Sequence, residues 1–410
     1  MRVLSLVLFT VLISISLLHP TQASFGRFHQ DVEQYLTATR RSTTVNGFTK
    51  SLRSTQSSAQ IQADLQNFTD PGEASLFAVL NPFGRVQTWS TGPISSSSIM
   101  RFGSVTKIFT GWLALHAGLN LEAHPKHYGY APVYYSNSSI IKFKQVMSHT
   151  AGIPEYAQIQ YLVNMTDPNP NNWNWINNGD FTPSLDVDLV WKNVPIPGMP
   201  AALDGVLDYV PGTQYCYSNT DCELVGVVVQ KITGQPVSQL LPAQFPGLNI
   251  DNGTTPLSSW PQTPAYLNWP YPASLPGVSG SLIGNAESLL RGFDRVTKSG
   301  EYNTMQTWVY DAVSSTSVPQ CPPTAVQYNT AGGQKYGYFM QYYNSSQIWS
   351  DTYPDQDGGS IGHDGNLIAR TQLIKHPSGN IYVYHYTNQI DNIELQRRTS
   401  ILVQDHLSYC

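Results

Sequence analysis

The chain has 410 residues, 41% of them apolar and only 12% charged, with 22 basic against 27 acidic side chains. Such a length supports a large core, while the charged fraction is about half the ~25% usual in soluble domains. A coiled coil, a charge-driven disordered chain and a strongly basic nucleic-acid binder are excluded. The net charge of −5 names no partner, and a surface rich in uncharged polar residues suits an extracellular protein.

At the amino terminus Met1-Arg2 precedes an unbroken apolar run from Val3 to Leu18, and a small residue stands at Ala23. One positive charge, a short hydrophobic stretch and a small residue at the cut predict a secretory signal peptide over 1–23. The run is shorter than the ~20 residues of a bilayer-crossing helix, so no membrane span is expected after cleavage. Residues 24–70 then read as helical. Ala74 to Thr91 alternates like a hairpin about the turn Asn81-Pro82-Phe83-Gly84. Ser104 to Leu119 predicts a helix, with Ile108, Trp112 and Leu115 at helical spacing and Gly118 near its end. The Asn-, Pro- and Trp-rich stretch from Thr166 to Pro200 predicts a long ordered loop or lid. Helices follow over Asp221–Thr233 and Glu287–Val296. Strands are expected over Leu367–Lys375 and Asn380–Tyr386, with a closing helix from Ile390 to Leu407. Strands near both ends with helices between them predict an α+β fold, an antiparallel sheet flanked by helices with a mainly helical region inserted. The mature chain, 24–410, is read as one domain. Its sheet region covers about 24–103 and 276–410, and its helical and loop region about 104–275.

Four cysteines, Cys216, Cys222, Cys321 and Cys410, would lie in an oxidising compartment. Their even number and the lack of a C-x-x-C pair favour disulfides over a metal site. Of three possible pairings, Cys216–Cys222 with Cys321–Cys410 is preferred, because the first two are close in sequence and the last residue is otherwise untethered. Five sequons, beginning at Asn67, Asn137, Asn164, Asn252 and Asn344, are candidate glycosylation sites.

The chemistry centres on Ser104-Val105-Thr106-Lys107. A serine three residues before a lysine on a helix places both side chains on one face. A buried lysine, deprotonated more readily for its desolvation, can take the serine proton, and the helix start offers backbone N–H to a developing oxyanion. A second S-x-x-K, Ser139-Ile140-Ile141-Lys142, opens no amphipathic helix. Tyr217-Ser218-Asn219 adds a phenol that can relay protons and an amide that can hold a substrate carbonyl. Other Y-x-N matches exist, at Tyr135, Tyr266, Tyr342 and Tyr386, but only Tyr217 has Pro211-Gly212-Thr213 before it and a helix after it. His363-Asp364-Gly365 stands just ahead of a strand, where small residues beside a histidine on an edge would let substrate backbone lie along it. Lys298-Ser299-Gly300 is set aside, because its glycine reads as the C-cap of a helix. His124 and His127, near His116, have no acidic or cysteine co-ligand and read as a solvated loop. Trp173, Trp175, Trp191, Trp260 and Trp269 read as core or lid packing.

With these motifs in order, the sequence resembles the class C β-lactamase-like family of serine hydrolases, over about 74–387. Met147-Ser148-His149-Thr150-Ala151-Gly152-Ile153-Pro154 is similar to the family's L-S-H-T-S-G-[IL]-P run. Pro211 to Thr220 is similar to its P-G-x-x-[FY]-x-Y-S-N-T run, and Gly277 to Leu282 with Ala286-Glu287 to its G-G-L-x-S-T-A-x-D stretch. The resemblance implies a β-lactamase/transpeptidase-like fold. It implies Ser104 as nucleophile, Lys107 and Tyr217 as coupled base and acid, and Asn219, His363, Gly365 and Asn366 as substrate-binding positions. The oxyanion would be held by the N–H groups of Ser104 and Asn366. No metal or organic cofactor is implied, and the expected partner is a small-molecule or peptide substrate. His363 stands where the family's β-lactamases carry lysine, which favours a secreted peptidase or esterase working through a Ser104 acyl-enzyme, with a catalytically slow member serving as a binding or assembly protein, or a true β-lactamase, as the alternatives. Asp364 departs from the family pattern; facing the cleft, it would disfavour a substrate carboxylate and pair with His363.

Overall fold

A computed structural model describes residues 53–69, 71–129, 141–153, 207, 209–251, 277–311, 335–343, 360–366, 369–377 and 381–387, with scattered helical positions between 395 and 406. From Ser57 onward they belong to one unit, Ser57–Cys410. The signal segment 1–23, the expected lid at 166–200 and the five tryptophans from Trp173 to Trp269 lie outside the described residues, as do Ser139, Asn137, Asn164, Asn252, Asn344, Cys321 and Cys410.

The hairpin forms as its alternation requires. β1 (Ser75–Leu80) pairs with β2 (Val86–Thr91) from Ser75↔Thr91 to Leu80↔Val86. The Asn81 side chain accepts from the Phe83 and Arg85 amides at 3.0 Å, and Gly84 takes φ +75° to close the turn. Every β1 residue is buried, because β11 (Tyr382–Thr387) pairs on its other side and both faces are covered. β10 (Arg370–Lys375) and β9 (Ser360–Asn366) continue outward, then the short β8 (Gln341–Tyr343), β7 (Lys335–Tyr336) and β6 (Tyr310–Asp311). The order is β2-β1-β11-β10-β9-β8-β7-β6, antiparallel throughout. The first and last strands among the described residues therefore lie side by side, second and third from the β2 edge of the sheet.

Period two on β1 feeds two cores. Phe77 and Val79 pack with Trp89 and Val383 against Ile61 and Leu65 of α1 (Arg53–Phe68), whose Ser58 carbonyl accepts the Trp89 indole N–H at 3.1 Å. Leu76, Ala78 and Leu80 join Tyr382, Tyr384 and Tyr386 in the larger core on the opposite face. There the sheet meets α2 (Thr106–His116), α3 (Phe143–Met147), α4 (Asn219–Thr233), α5 (Val237–Gln244), the single turn α6 (Gly277–Gly280), α7 (Ala286–Thr297) and α8 (Glu301–Met305). α7 shows why such a segment folds: the Asn285 side chain caps the Ser288 amide at 2.9 Å, and Ala286, Leu289, Leu290, Phe293 and Val296 form one buried stripe. A small second sheet, β3 (Met100–Arg101), β5 (Leu282–Gly284) and β4 (Asn249–Ile250), ties the segment before Ser104 to the segment after α6.

Several expectations are corrected. The helix expected from Ser104 opens as a 3-10 turn, Gly103–Val105, and turns α-helical at Thr106. His363 does precede the expected strand, β10, but lies within a strand of its own, β9. β9 is interior to the sheet, yet β8 pairs only with Ser360–Gly362, so among the described residues the half from His363 to Asn366 has no ladder partner on that side. Gly300 has φ −65° and precedes α8, so it is not a left-handed C-cap. Cys222 is a free, buried thiol donating to the Val278 carbonyl at 3.3 Å, so no Cys216–Cys222 bridge exists. The first turn of α4 points Cys222 into the helical core, whereas Cys216 sits in the preceding loop with its amide on the His149 carbonyl at 3.0 Å.

Candidate active site

The turn that carries Ser104 is fixed by backbone chemistry. Phe102 N–H donates to the Leu282 carbonyl at 2.9 Å, and the Thr106 hydroxyl donates to the Gly103 carbonyl while accepting the Leu282 amide at 3.0 Å. Three residues on, Lys107 lies fully buried in the first turn of α2. Its Nζ is 3.2 Å from Ser104 Oγ, 2.6 Å from Asn219 Oδ1 and 2.8 Å from the Ser279 carbonyl, and stands 4.7 Å from the centre of the Tyr217 ring. Tyr217 and Asn219 arrive together, because Ser218, extended at the N-cap position of α4 with no side-chain capping bond, leaves them on either side of it.

Those three oxygens are not equivalent. A carbonyl and an amide oxygen only accept, whereas a hydroxyl can also donate. A neutral Lys107 amine has two N–H groups for the two obligate acceptors and a lone pair aimed at Ser104. The serine hydroxyl then donates to nitrogen, which is the arrangement for taking its proton. Two polar expectations thus meet within hydrogen-bond reach, as S-x-x-K spacing alone could not guarantee.

His363 reaches the same centre from β9, its ring centroid 6.2 Å from that of Tyr217. It is 1% exposed, and both ring nitrogens are engaged inside the protein. Nδ1 faces the Asp364 carbonyl at 2.5 Å and Nε2 faces the Tyr336 hydroxyl at 3.0 Å. The same hydroxyl lies 3.1 Å from His149 Nε2, and His149 Nδ1 lies 3.1 Å from Asp221 Oδ2. Since the Asp364 carbonyl can only accept, neutral His363 carries its proton on Nδ1 and accepts from Tyr336. The phenol oxygen then accepts from His149 Nε2, and His149 Nδ1 accepts the Ser218 amide at 3.3 Å. No proton is left for the contact with Asp221, so that link closes only when the assembly gains one. Burial opposes this first, and a protonated Lys107 would add to it, holding His149 well below its usual range and His363 down at about 3.

The His149-Tyr336-Asp221 group was not assigned a chemical role in the sequence. His149 takes φ +56°, which aims its carbonyl at the Cys216 amide and the Tyr209 hydroxyl, both at 3.0 Å. Asp221 carries a readable signal, four residues after Tyr217; Tyr336 carries none. Asp364 points to the opposite face of β9, beside Tyr343 and Gln341, and its backbone carbonyl rather than its carboxylate meets His363. Burial and the Asp364 carboxylate push the Tyr343 phenol well above its ordinary range. Gly365 is required where it stands: a Cβ would lie 2.1 Å from both the Phe102 carbonyl and Thr371 Oγ1. The small residue lets β9 rest on the turn that carries Ser104. Asn366 ends β9 opposite Arg370.

The competing motifs lie elsewhere. Lys142 and Lys298 spend their ammonium groups on Glu122 and Asp294, each at 2.8 Å and each exposed. Of the sequon asparagines, Asn67 is described, exposed near the end of α1. No helix among the described residues is long and apolar enough to cross a membrane.

Solved structures share this architecture. A β-lactamase/D-alanine carboxypeptidase from Yersinia pestis superposes with a TM-score of 0.62 at 16% identity, covering 88% of this chain and 100% of that one. A D-amino acid amidase from Ochrobactrum anthropi SV3 gives 0.60 at 13% identity, with 86% and 99% covered. A D-stereospecific amidohydrolase from Streptomyces sp. gives 0.57 at 19% identity, with 82% and 96% covered. No curated protein matches the sequence. The family model described as Beta-lactamase matches residues 75–407, a span that holds every residue of the site, and the chain belongs to that family.

Proposed function

We propose that the protein is a serine hydrolase working through an acyl-enzyme on Ser104, with an ester, amide or peptide as substrate. The observation that carries this reading is the 3.2 Å approach of the buried Lys107 amine to Ser104 Oγ, with Asn219 Oδ1 and the Ser279 carbonyl, both obligate acceptors, also on the amine. Lys107 takes the serine proton as Oγ attacks the carbonyl. The oxyanion is held by the Ser104 amide and, beside it, the Asn366 amide. Asn219 orients the substrate, and the Tyr217 phenol works with Lys107 to return the proton to the leaving group. Water then hydrolyses the ester. His363 contributes by position, since both its nitrogens are occupied.

Similarity to proteins described as D-amino acid amidases and D-alanine carboxypeptidases supports D-aminoacyl amides and peptides as the first substrates to try. The amino-terminal segment supports secretion with removal of 1–23. The test is hydrolysis of a panel of aryl esters and D- and L-aminoacyl amides by wild type and Ser104→Ala. Turnover by wild type with a pre-steady-state burst, lost in the variant, is expected; equal turnover by both proteins would reject the assignment.

A further inference from the structure

We propose that Glu223 is a positioning residue for Lys107, its buried carboxylate latching the α6 turn so that the Ser279 carbonyl meets the Lys107 amine. This rests on the reading of Ser104 and Lys107 given above. Glu223 lies on α4, 6% exposed, and accepts the amides of Val278 at 3.3 Å and Ser279 at 2.9 Å. The carbonyl of the same Ser279 accepts from Lys107 at 2.8 Å. One peptide turn therefore joins a carboxylate on one helix to the amine on another.

The surroundings are built for this contact. A Cβ on Gly277 would lie 2.5 Å from Glu223 Oε2, and one on Gly226, three residues along the same face of α4, would lie 2.5 Å from Val278 Cγ2. Two glycines thus admit the carboxylate and the turn to each other. The Val278 carbonyl is gripped from both sides, by the Thr110 hydroxyl of α2 at 2.7 Å and the Cys222 thiol of α4 at 3.3 Å. Among the described residues, Lys107 of α2 and Cys222 of the same helix are the titratable neighbours coupled to Glu223; α6 presents its amides and the Ser279 hydroxyl. Burial pushes the carboxyl up to about 7, against the pull of the Ser279 and Val278 hydrogen bonds and of Lys107. Its ionised form holds both amides and sets a negative charge near Lys107 as Lys107 gains the serine proton.

The experiment compares wild type, Glu223→Gln and Glu223→Ala by two readouts. One is the rate of fluorophosphonate labelling at Ser104 between pH 5 and 9, and the other is amide hydrogen exchange across 277–282, with thermal melting as the folding control. The latch predicts at least 10-fold slower labelling in Glu223→Gln and loss of a rising limb centred near pH 7. It also predicts at least 10-fold faster exchange at 278–279, with a melting temperature at pH 5 near that of wild type. Exchange and labelling both at wild-type values would overturn the proposal, and so would loosened amides with unchanged labelling, which leave a merely structural carboxylate. Wild-type protein that never labels, while its 278–279 amides loosen in the variants, would refute the Ser104 reading and support the latch alone.

Discussion

Lys107 has two obligate acceptors and one hydroxyl beside its nitrogen, so a single atom decides whether Ser104 is a nucleophile or a bystander. Lys107→Met keeps the bulk and removes the base. It is expected to slow fluorophosphonate labelling of Ser104 by roughly 100-fold or more, the usual contribution of a general base, with little change in melting temperature. Tyr217→Phe removes only a hydroxyl and is expected to lower turnover about 10-fold or more with labelling less affected, as befits a group returning a proton to the leaving group. These two residues, with Ser104 and Asn219, were legible because their relation is local: three residues along one helix, and a capped turn entering another. His149, Tyr336 and His363 form one hydrogen-bonded row across 214 positions of sequence, and no spacing rule connects a histidine after α3 to a tyrosine on β7.

At the scale of elements, the site depends on how closely β9 and α6 can approach the two helices that carry the chemistry. Gly365→Ala sets a methyl group against the Phe102 carbonyl and Thr371. The strand must move off the Ser104 turn, so labelling should fall at least 10-fold while the unfolding free energy from urea titration drops by on the order of 1–3 kcal/mol. Glu223 makes a different forecast. The unfolded chain releases its proton near 4.5 and the folded chain near 7, so folding binds a proton between those values. Stability from this residue is greatest below 4.5 and is lost as pH rises through 7, by on the order of 3 kcal/mol. Urea titrations at pH 5 and 8 should show that loss in wild type and its absence in Glu223→Gln. The hairpin, α4 and α7 were readable from their hydrophobic periods. β9 was not, because Ser-Ile-Gly-His-Asp-Gly-Asn has no alternation and owes its strand conformation to β10. α5 was hidden by Pro242 inside it.

Among the described residues, a set of buried histidines is held in neutral form. Burial holds His363 and His385 at about 3 and His376 at about 4, with His149 also well below its usual range. An unfolded chain protonates these rings near 6.5, whereas the folded chain does not, so stability is full above that value and is lost as pH falls. Each ring contributes about 1.4 kcal/mol per pH unit in that window, and Glu223 offsets one of the four. Urea unfolding should therefore show a loss of several kcal/mol between pH 6.5 and 5; a stability that is flat or rises on acidification would contradict this distribution of neutral rings. The antiparallel sheet joined by both ends of the chain was legible from strands clustering at the two termini. The pairing of cysteines was not, because sequence proximity does not reveal that a helix turns Cys222 away from Cys216.

The most direct test of the central claim is the intact mass of the protein after exposure to a fluorophosphonate probe, with peptide mapping, for wild type and Ser104→Ala. The account predicts one adduct on wild type, located on Ser104, and none on the variant. A folded wild-type protein that gains no adduct, or gains it at a residue other than Ser104, would contradict it.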